Sequence, residues 1–244
     1  MVKHKHKNKS SKLAKEVLNN RLRGVDRVLV FRFFKLLHGR FWGIGALLAI
    51  TIGAVIGYAI RPDLLRWDAP LSALGTDVKT SPFFAGSMFL SAYCLWRWRT
   101  YLRQTERNQK LIISMISLTI LGLYLIALMP VTWRPLPYKL HHFGVLLAGL
   151  SMSLTVVLDS ILSKHKKNGH TVLWHGIKFL SFLLIVIGGI ISILSLERYN
   201  KLQLVLVGES SMFVGYSVWV VLKVYLGESK SSTIGRLVKK IFYS

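Results

Sequence analysis

Long stretches with almost no charged side chain recur along this chain, and their length limits what it can fold into. Uncharged runs of about 17 or more residues appear repeatedly. Helices in the core of a soluble protein are amphipathic, whereas a bilayer core about 30 Å thick requires about 20 apolar residues at 1.5 Å per residue. The chain of 244 residues is also 52% hydrophobic. We therefore predict an all-α integral membrane bundle.

The predicted bundle has six transmembrane helices and one membrane domain. The spans are 41–60, 80–96, 111–129, 140–162, 179–196 and 202–222, and only Asp159 and Glu209 place an acid within them. Pro82 fits the start of the second span, because proline is favoured in the first helical turn. The domain prediction is a basic tail over 1–40, the membrane domain over 41–222 and a second basic tail over 223–244.

The orientation follows from the distribution of lysine and arginine, which are retained on the cytoplasmic side of a membrane. The two tails and the even-numbered connections hold 26 of these residues, whereas the other three connections hold 7. This alternation predicts an even number of spans with both termini in the cytoplasm, in the plasma membrane.

Both tails carry apolar residues at helical spacing beside basic ones. In the C-terminal tail, Ile234, Leu237 and Ile241 share a face opposite Arg236 and Lys240. Such segments are typical of helices that lie at a membrane interface. We expect anionic lipid headgroups to attract both tails, while binding to another membrane protein or to a second copy of the chain is an alternative.

The net charge of +23 would suggest nucleic acid binding in a soluble protein, but here the basic residues lie between apolar runs. Anionic lipids attract such residues at roughly 1 kcal/mol each, and no aromatic-basic reading motif accompanies them, so we predict no nucleic acid partner. Cys94 is the only cysteine and lies within an apolar run, which excludes a disulfide framework. The first 40 residues carry twelve basic residues and no cleavable signal pattern.

Small residues line one side of two predicted spans. Gly45, Ala49, Gly53 and Gly57 are spaced by four in the first span, and Ser181, Gly188, Ser192 and Ser195 form a similar stripe in the fifth. Small residues at this spacing let two helix backbones approach closely. We expect both stripes to face other helices.

Metal and cofactor sites are not predicted. Histidines in the tract that opens the N-terminal tail alternate with lysines, whose charge repels a cation. His170 and His175 near Asp159 are five residues apart, about 140° around a helix, so they do not share a face. A Schiff-base cofactor of the retinal kind requires a lysine in mid-helix, and every lysine lies at a span end or in a connection.

Polar residues collect at the predicted outer side of the bundle. Glu209 lies about 10 Å below that surface by helical rise, and an acid within a span requires a partner. By depth, His141 or His142 is the nearest candidate. The connection 61–79 adds Asp77 and Ser72. We predict that Ser72, Asp77, His141, His142 and Glu209 bind a ligand, with a purely structural polar clasp as the alternative.

The pattern resembles the six-span membrane family catalogued as domain of unknown function 998, grouped with the Frag, DRAM and Sfk membrane proteins. The similar pieces are the segment 71–76 before the second span, Met129 and Pro130 leading to His141, and Gly208 with Glu209. The resemblance implies a fold more than an activity.

The leading functional prediction is a multi-pass membrane protein that binds a lipid or small ligand in an outward-facing polar pocket. A lipid-modifying enzyme is one alternative, and it requires a nucleophile, a base and an orienting group within hydrogen-bond reach. A small ion- or proton-coupled transporter is the other, and it requires a polar path across the membrane midplane.

Overall fold

The computed structural model describes residues 39–105, 109–129, 135–164, 171–195, 203–226 and 230–231. Within these ranges six long helices carry the fold: α1 Trp42–Ile60, α2 Ser81–Thr105, α3 Lys110–Leu128, α4 Pro135–Leu162, α5 Thr171–Leu194 and α6 Val205–Leu226. Two short 3-10 helices, Pro62–Leu64 and Leu71–Gly75, lie between α1 and α2. Two-residue strands, β1 Ser163–Lys164 and β2 Lys230–Ser231, pair antiparallel. The interfacial helices predicted in the tails lie outside the described residues.

Five of the helices are long and apolar enough to cross a membrane, namely α1, α3, α4, α5 and α6. The coarse prediction of a helical, multi-pass membrane protein is therefore confirmed. The helix α2 extends over 25 residues and is not among the five, and its last turns carry Arg97, Arg99 and Arg103.

The predicted helix bounds differ from the observed ones mainly where charged residues occur. The fifth predicted span starts at residue 179, whereas α5 begins at Thr171 and contains Lys178. The second predicted span stops at residue 96, whereas α2 continues to Thr105. A charge ends an apolar run in the sequence, but a helix continues wherever the backbone hydrogen bonds continue.

Consecutive helices form three tightly packed hairpins whose contacts are made by glycines. A Cβ on Gly53 of α1 would overlap the side chain of Ser87 on α2. In the second hairpin a Cβ on Gly122 would lie 2.7 Å from the carbonyl oxygen of Gly144. In the third, a Cβ on Gly188 would lie 2.5 Å from the carbonyl oxygen of Gly208. The backbones are therefore in direct contact, and the predicted packing role of the α1 stripe is confirmed at Gly53.

The small-residue stripe of α5 faces α6, as predicted. The Ser181 hydroxyl is buried and donates to the carbonyl oxygen of Gly215 at 2.5 Å. At the other end of α5, the Ser195 hydroxyl oxygen accepts a hydrogen bond from the Leu204 backbone N–H at 3.1 Å. These bonds satisfy polar groups that would otherwise be costly inside an apolar bundle.

Large aromatic side chains connect the first hairpin to the third. Trp98 on α2 and Trp219 on α6 are fully buried, with ring centroids 5.6 Å apart in an edge-on arrangement. Tyr216 lies against the other side of Trp219 at 5.5 Å. Edge-on aromatic pairs add roughly 0.5–1.5 kcal/mol to the area they bury.

The contacts distinguish two ends of the bundle. At one end the loop after α1 meets the start of α6, where Glu209 lies, and we call this the Glu209 end. At the opposite end Asp159 of α4 meets Lys178 of α5 and Lys223 of α6, and we call this the Asp159 end.

Candidate functional site

The 3-10 helix Leu71–Gly75 folds back into the bundle at the Glu209 end. The Leu74 side chain is fully buried, and a Cβ on Gly57 of α1 would lie 2.9 Å from it. The Thr80 hydroxyl, also buried, donates to the carbonyl oxygen of Leu74 at 2.6 Å. The segment predicted only as a loop is thus a fixed part of the core, and it forms one wall of the candidate site.

Glu209 is half-buried in the second turn of α6 and binds this wall. Its Oε2 accepts a hydrogen bond from the Leu71 backbone N–H at 2.5 Å. Close by, the Leu206 backbone N–H donates to the carbonyl oxygen of Trp67 at 3.1 Å. The start of α6 is therefore joined to the loop by two hydrogen bonds, one of them to a carboxylate.

Tyr58 near the end of α1 contributes a hydroxyl group to the same region. The hydroxyl oxygen is buried and has no hydrogen-bond partner in the part of the chain that the structure describes. Gly57, the residue before Tyr58, packs against Leu74 in the same 3-10 helix whose Leu71 binds Glu209. The Oε1 atom of Glu209 also accepts no hydrogen bond from the described residues. One donor–acceptor group and one carboxylate oxygen are thus available to a third group.

Asp77, one of the predicted ligand-binding residues, has a structural task in the loop. Its carboxylate accepts hydrogen bonds from the Arg61 guanidinium and from the Lys79 backbone N–H. Its carbonyl oxygen accepts the Ser81 N–H at 2.8 Å, which starts α2. Ser72, by contrast, is half-buried, and its hydroxyl forms no hydrogen bond among the described residues.

Arg61 joins two of the three carboxylates of the loop, since besides Asp77 it binds Asp63 with two hydrogen bonds of 2.9 and 2.7 Å. The bond to Arg61 lowers the pKa of the Asp63 carboxyl below its ordinary value. The same hydrogen bond, with the charges of both carboxylates, raises the pKa of Arg61. Solvent reaches all three side chains, which are 19–61% exposed, so it screens their charges and the cluster orders the loop more than it stabilises the bundle.

The predicted partnership of Glu209 with a histidine is wrong. The ring of His141 is buried, and its Nδ1 forms a 2.8 Å hydrogen bond with the carbonyl oxygen of Met129, at the end of α3. His142 Nδ1 bonds the carbonyl oxygen of Tyr138 in its own helix at 2.9 Å. A similar depth in the membrane does not make Glu209 the partner of His141, because the last carbonyl oxygens of α3 also require donors and one of them is in contact with the His141 ring. The Nε2 of His141 is buried without a partner in the described chain.

Sequence reasoning missed a buried charge cluster at the Asp159 end. Lys178 and Lys223 each place their Nζ 2.8 Å from an Asp159 carboxylate oxygen, and all three side chains are at most 2% exposed. Trp219 Nε1 donates to the same carboxylate at 3.2 Å, and Lys223 also reaches Gln109 Oε1 at 3.3 Å. Three helices, α4, α5 and α6, contribute side chains to this cluster, and so does Gln109, the residue before α3.

A sequence signal for the cluster existed but was ambiguous. Asp159, Lys178 and Lys223 all lie within a few residues of a predicted span end on the same side of the membrane. Lysines near a helix end usually extend to the headgroup region. From the sequence, Lys178 and Lys223 therefore count among the charges of the cytoplasmic connections and tails. The structure shows that Asp159, Lys178 and Lys223 lie on the faces by which their helices contact one another.

No group of three or more His, Cys, Asp or Glu able to hold a metal ion occurs among the described residues. His170, which the sequence places near Asp159 and which we do not predict to bind metal, lies outside the described residues. The Asp159 carboxylate is occupied by two ammonium groups, which oppose the binding of a cation there.

Comparison of the chain with protein-family models, with curated protein sequences and with solved structures gives no match. The resemblance to domain of unknown function 998 therefore stays a prediction.

Proposed function

We propose that this is a plasma-membrane protein of six spans that binds a lipid headgroup or small ligand at the Glu209 end, which faces outward. The observation that carries the proposal is the pair of unused hydrogen-bonding groups there, the Tyr58 hydroxyl and Oε1 of Glu209. Buried polar groups in folded proteins nearly always have partners, and the buried Tyr58 hydroxyl has none among the described residues, which supports a ligand that supplies one.

The proposal includes α2 as the sixth span. One face of α2 packs against α1 at Gly53 and Ser87, and the rings of Phe89 and Tyr124 connect it to α3 at 5.6 Å. A helix enclosed by two membrane helices shares their surroundings. The first sixteen residues of α2 carry no charge, and its arginines begin at Arg97. This length matches a crossing followed by a polar extension.

Both termini are proposed to lie in the cytoplasm. The buried lysines of the Asp159 cluster do not test this orientation, because they are paired with Asp159 inside the bundle and do not lie in a cytoplasmic connection. When Lys178 and Lys223 are set aside, 24 basic residues remain on the Asp159 side against 7 on the other. The positive-inside rule therefore still favours a cytoplasmic Asp159 end.

The chemistry of the site favours a ligand that donates hydrogen bonds. A carboxylate oxygen accepts only, and a tyrosine hydroxyl both donates and accepts. An amine or hydroxyl group of a lipid headgroup or small molecule would satisfy both at once. The contribution of Ser72 and of the two histidines to ligand binding stays a prediction.

The two alternative functions receive less support. A cation that passed from the Glu209 end toward the Asp159 end would meet two buried ammonium groups, which oppose its passage. For an enzyme, Ser72 would have to lie beside a base, and its hydroxyl bonds to none in the described part of the chain. Neither observation opposes binding of a ligand at Glu209.

Native mass spectrometry of the protein extracted with its own lipids tests the proposal. We expect the wild type to retain a bound molecule that Glu209→Gln and Tyr58→Phe lose. Asp68→Asn, on the exposed side of the same loop, is the matched control and should retain it. Equal retention by all four proteins, or no retained molecule in the wild type, contradicts the proposal.

A further inference from the structure

Arg97 on α2 is a half-buried cation with no anionic partner among the described residues. Neither a hydrogen bond nor an ion pair joins it to any of the described residues, and its guanidinium carbon lies 5.9 Å from the ring centre of Trp42 on α1. A cation held near an aromatic face gains roughly 0.5–2 kcal/mol, but its charge remains uncompensated. The geometry therefore leaves a positive charge fixed at the junction of α1 and α2.

The surface next to Arg97 is aromatic and faces away from the bundle. Tyr93 and Trp96 are 41% and 45% exposed, and Leu90 one turn away is 53% exposed. Trp42 meets Tyr93 edge-on at 5.8 Å, and the rings of Tyr93 and Trp96 lie 6.0 Å apart. These side chains form one continuous apolar surface that ends at Arg97.

The position along α2 fits the boundary between hydrocarbon and headgroups. The helix is uncharged from Ser81 to Trp96, and Arg97 is its first charge. Tryptophan and tyrosine concentrate at this level of a bilayer, and arginine binds phosphate with a planar fork of donors. Acyl chains would contact the aromatic surface while the phosphate reaches the guanidinium.

We propose that Arg97, Trp42, Tyr93 and Trp96 form a site for one anionic phospholipid in the leaflet at the Asp159 end. The inference depends on the proposed crossing of α2, but not on the ligand at Glu209, which lies at the opposite end. An ordinary aromatic belt would interact with any lipid, whereas an uncompensated guanidinium selects a headgroup with net negative charge.

The control for this site lies on the same helix. Arg103 is exposed and belongs to the last turn of α2, so Arg103→Gln removes the same charge without touching the aromatic surface. Arg97→Lys retains the charge but loses the planar fork. It also provides a folded reference should Arg97→Gln prove unstable.

Purified protein is exchanged into vesicles of phosphatidylglycerol or of phosphatidylcholine, and retained lipid is measured by native mass spectrometry. We expect the wild type to retain phosphatidylglycerol preferentially, Arg97→Gln to retain it about tenfold less, as loss of a charged hydrogen bond implies, and Arg97→Lys to lie between them. Arg103→Gln should behave as the wild type. Equal retention of both lipids, or equal loss in Arg97→Gln and Arg103→Gln, overturns the site.

Discussion

The two ends of the bundle each hold one carboxylate inside a membrane helix, and they satisfy it in opposite ways. Asp159 is 1% exposed and is bound by two ammonium groups and an indole N–H. Glu209 is half-buried and receives one backbone N–H. The protein itself therefore completes the first site but leaves the second incomplete. This difference is why the Glu209 end, and not the more heavily charged Asp159 end, is the candidate for ligand binding.

The Asp159 cluster should act as a structural joint between the second and third hairpins. Their contact does not depend on glycines in the way that the contacts within the hairpins do, so side-chain bonds carry more of it. A buried ion pair adds little net stability compared with well-packed apolar residues, but removal of one partner is costly because a charge remains buried.

The largest expected effect follows from this asymmetry. Asp159→Asn leaves Lys178 and Lys223 buried beside a neutral amide, and we expect it to lower the free energy of unfolding by about 3–5 kcal/mol. The measurement is the unfolding of the purified protein in detergent, followed by circular dichroism.

A matched variant separates packing from charge. The triple change of Asp159→Leu, Lys178→Met and Lys223→Met replaces the three charged side chains with apolar ones of similar volume, although the Trp219 N–H loses its acceptor. We expect this variant to be closer to the wild type in stability than Asp159→Asn. If the triple variant is as unstable as Asp159→Asn, the cluster has a role beyond joining the hairpins, and the contrast between the two ends fails.

The second largest effect is expected in the middle of the first hairpin, away from both ends of the bundle. Gly53→Leu forces a side chain into Ser87, and overpacking of this kind lowers stability by about 1–3 kcal/mol. Gly86→Leu on α2 is the control, since a Cβ there meets no other atom within 4 Å. Thermal unfolding of both variants in detergent measures the difference, and equal melting temperatures would mean that Gly53 is not at a backbone contact in the membrane.

Much of this fold could be predicted from the sequence because bilayer thickness limits helix length so strongly. The α1 helix was predicted to within one residue at its start, and the inward stripes at Gly53 and Ser181 follow from helical spacing alone. Charged residues caused the largest errors in helix bounds, as at Lys178. Lys178 lies inside α5 because it pairs with Asp159, and Arg97 lies inside α2 because that helix continues beyond its apolar part.

The candidate site was harder to predict, because depth along a helix says nothing about rotation around it. Glu209 and His141 were placed at similar depth, yet His141 binds the end of α3 and Glu209 binds the backbone of Leu71. A backbone N–H is present in nearly every residue, so the sequence does not indicate which one binds a given side chain. Tyr58 was missed for a related reason, since a tyrosine near a span end is typical of any membrane helix.

The third effect, at the Glu209 end, should be smaller than either of the first two. Glu209→Gln removes the charge, but the glutamine Oε1 can still accept the Leu71 N–H, so only the charge-assisted part of the bond is lost. We expect a decrease of about 1 kcal/mol in the free energy of unfolding, measured in detergent as for Asp159→Asn. A decrease as large as that of Asp159→Asn would show that Glu209 is as completely embedded as Asp159, and would remove the distinction between the two ends.

The smallest effect concerns two tyrosines that share one feature. Tyr216, next to Trp219, and Tyr58, near Glu209, both have a buried hydroxyl that forms no hydrogen bond within the described residues. Removal of an unpaired buried hydroxyl relieves a desolvation cost, so Tyr216→Phe should leave the melting temperature unchanged or slightly higher.

Tyr58→Phe should do the same in protein stripped of lipid, but should lower the melting temperature of protein that retains its native lipids, because a bound ligand stabilises the folded state to which it binds. The comparison requires six melting curves, for the wild type and for each variant with and without native lipids. If Tyr58→Phe and Tyr216→Phe respond identically to removal of lipid, the Tyr58 hydroxyl does not contact the ligand, and Glu209 would have to bind it without Tyr58.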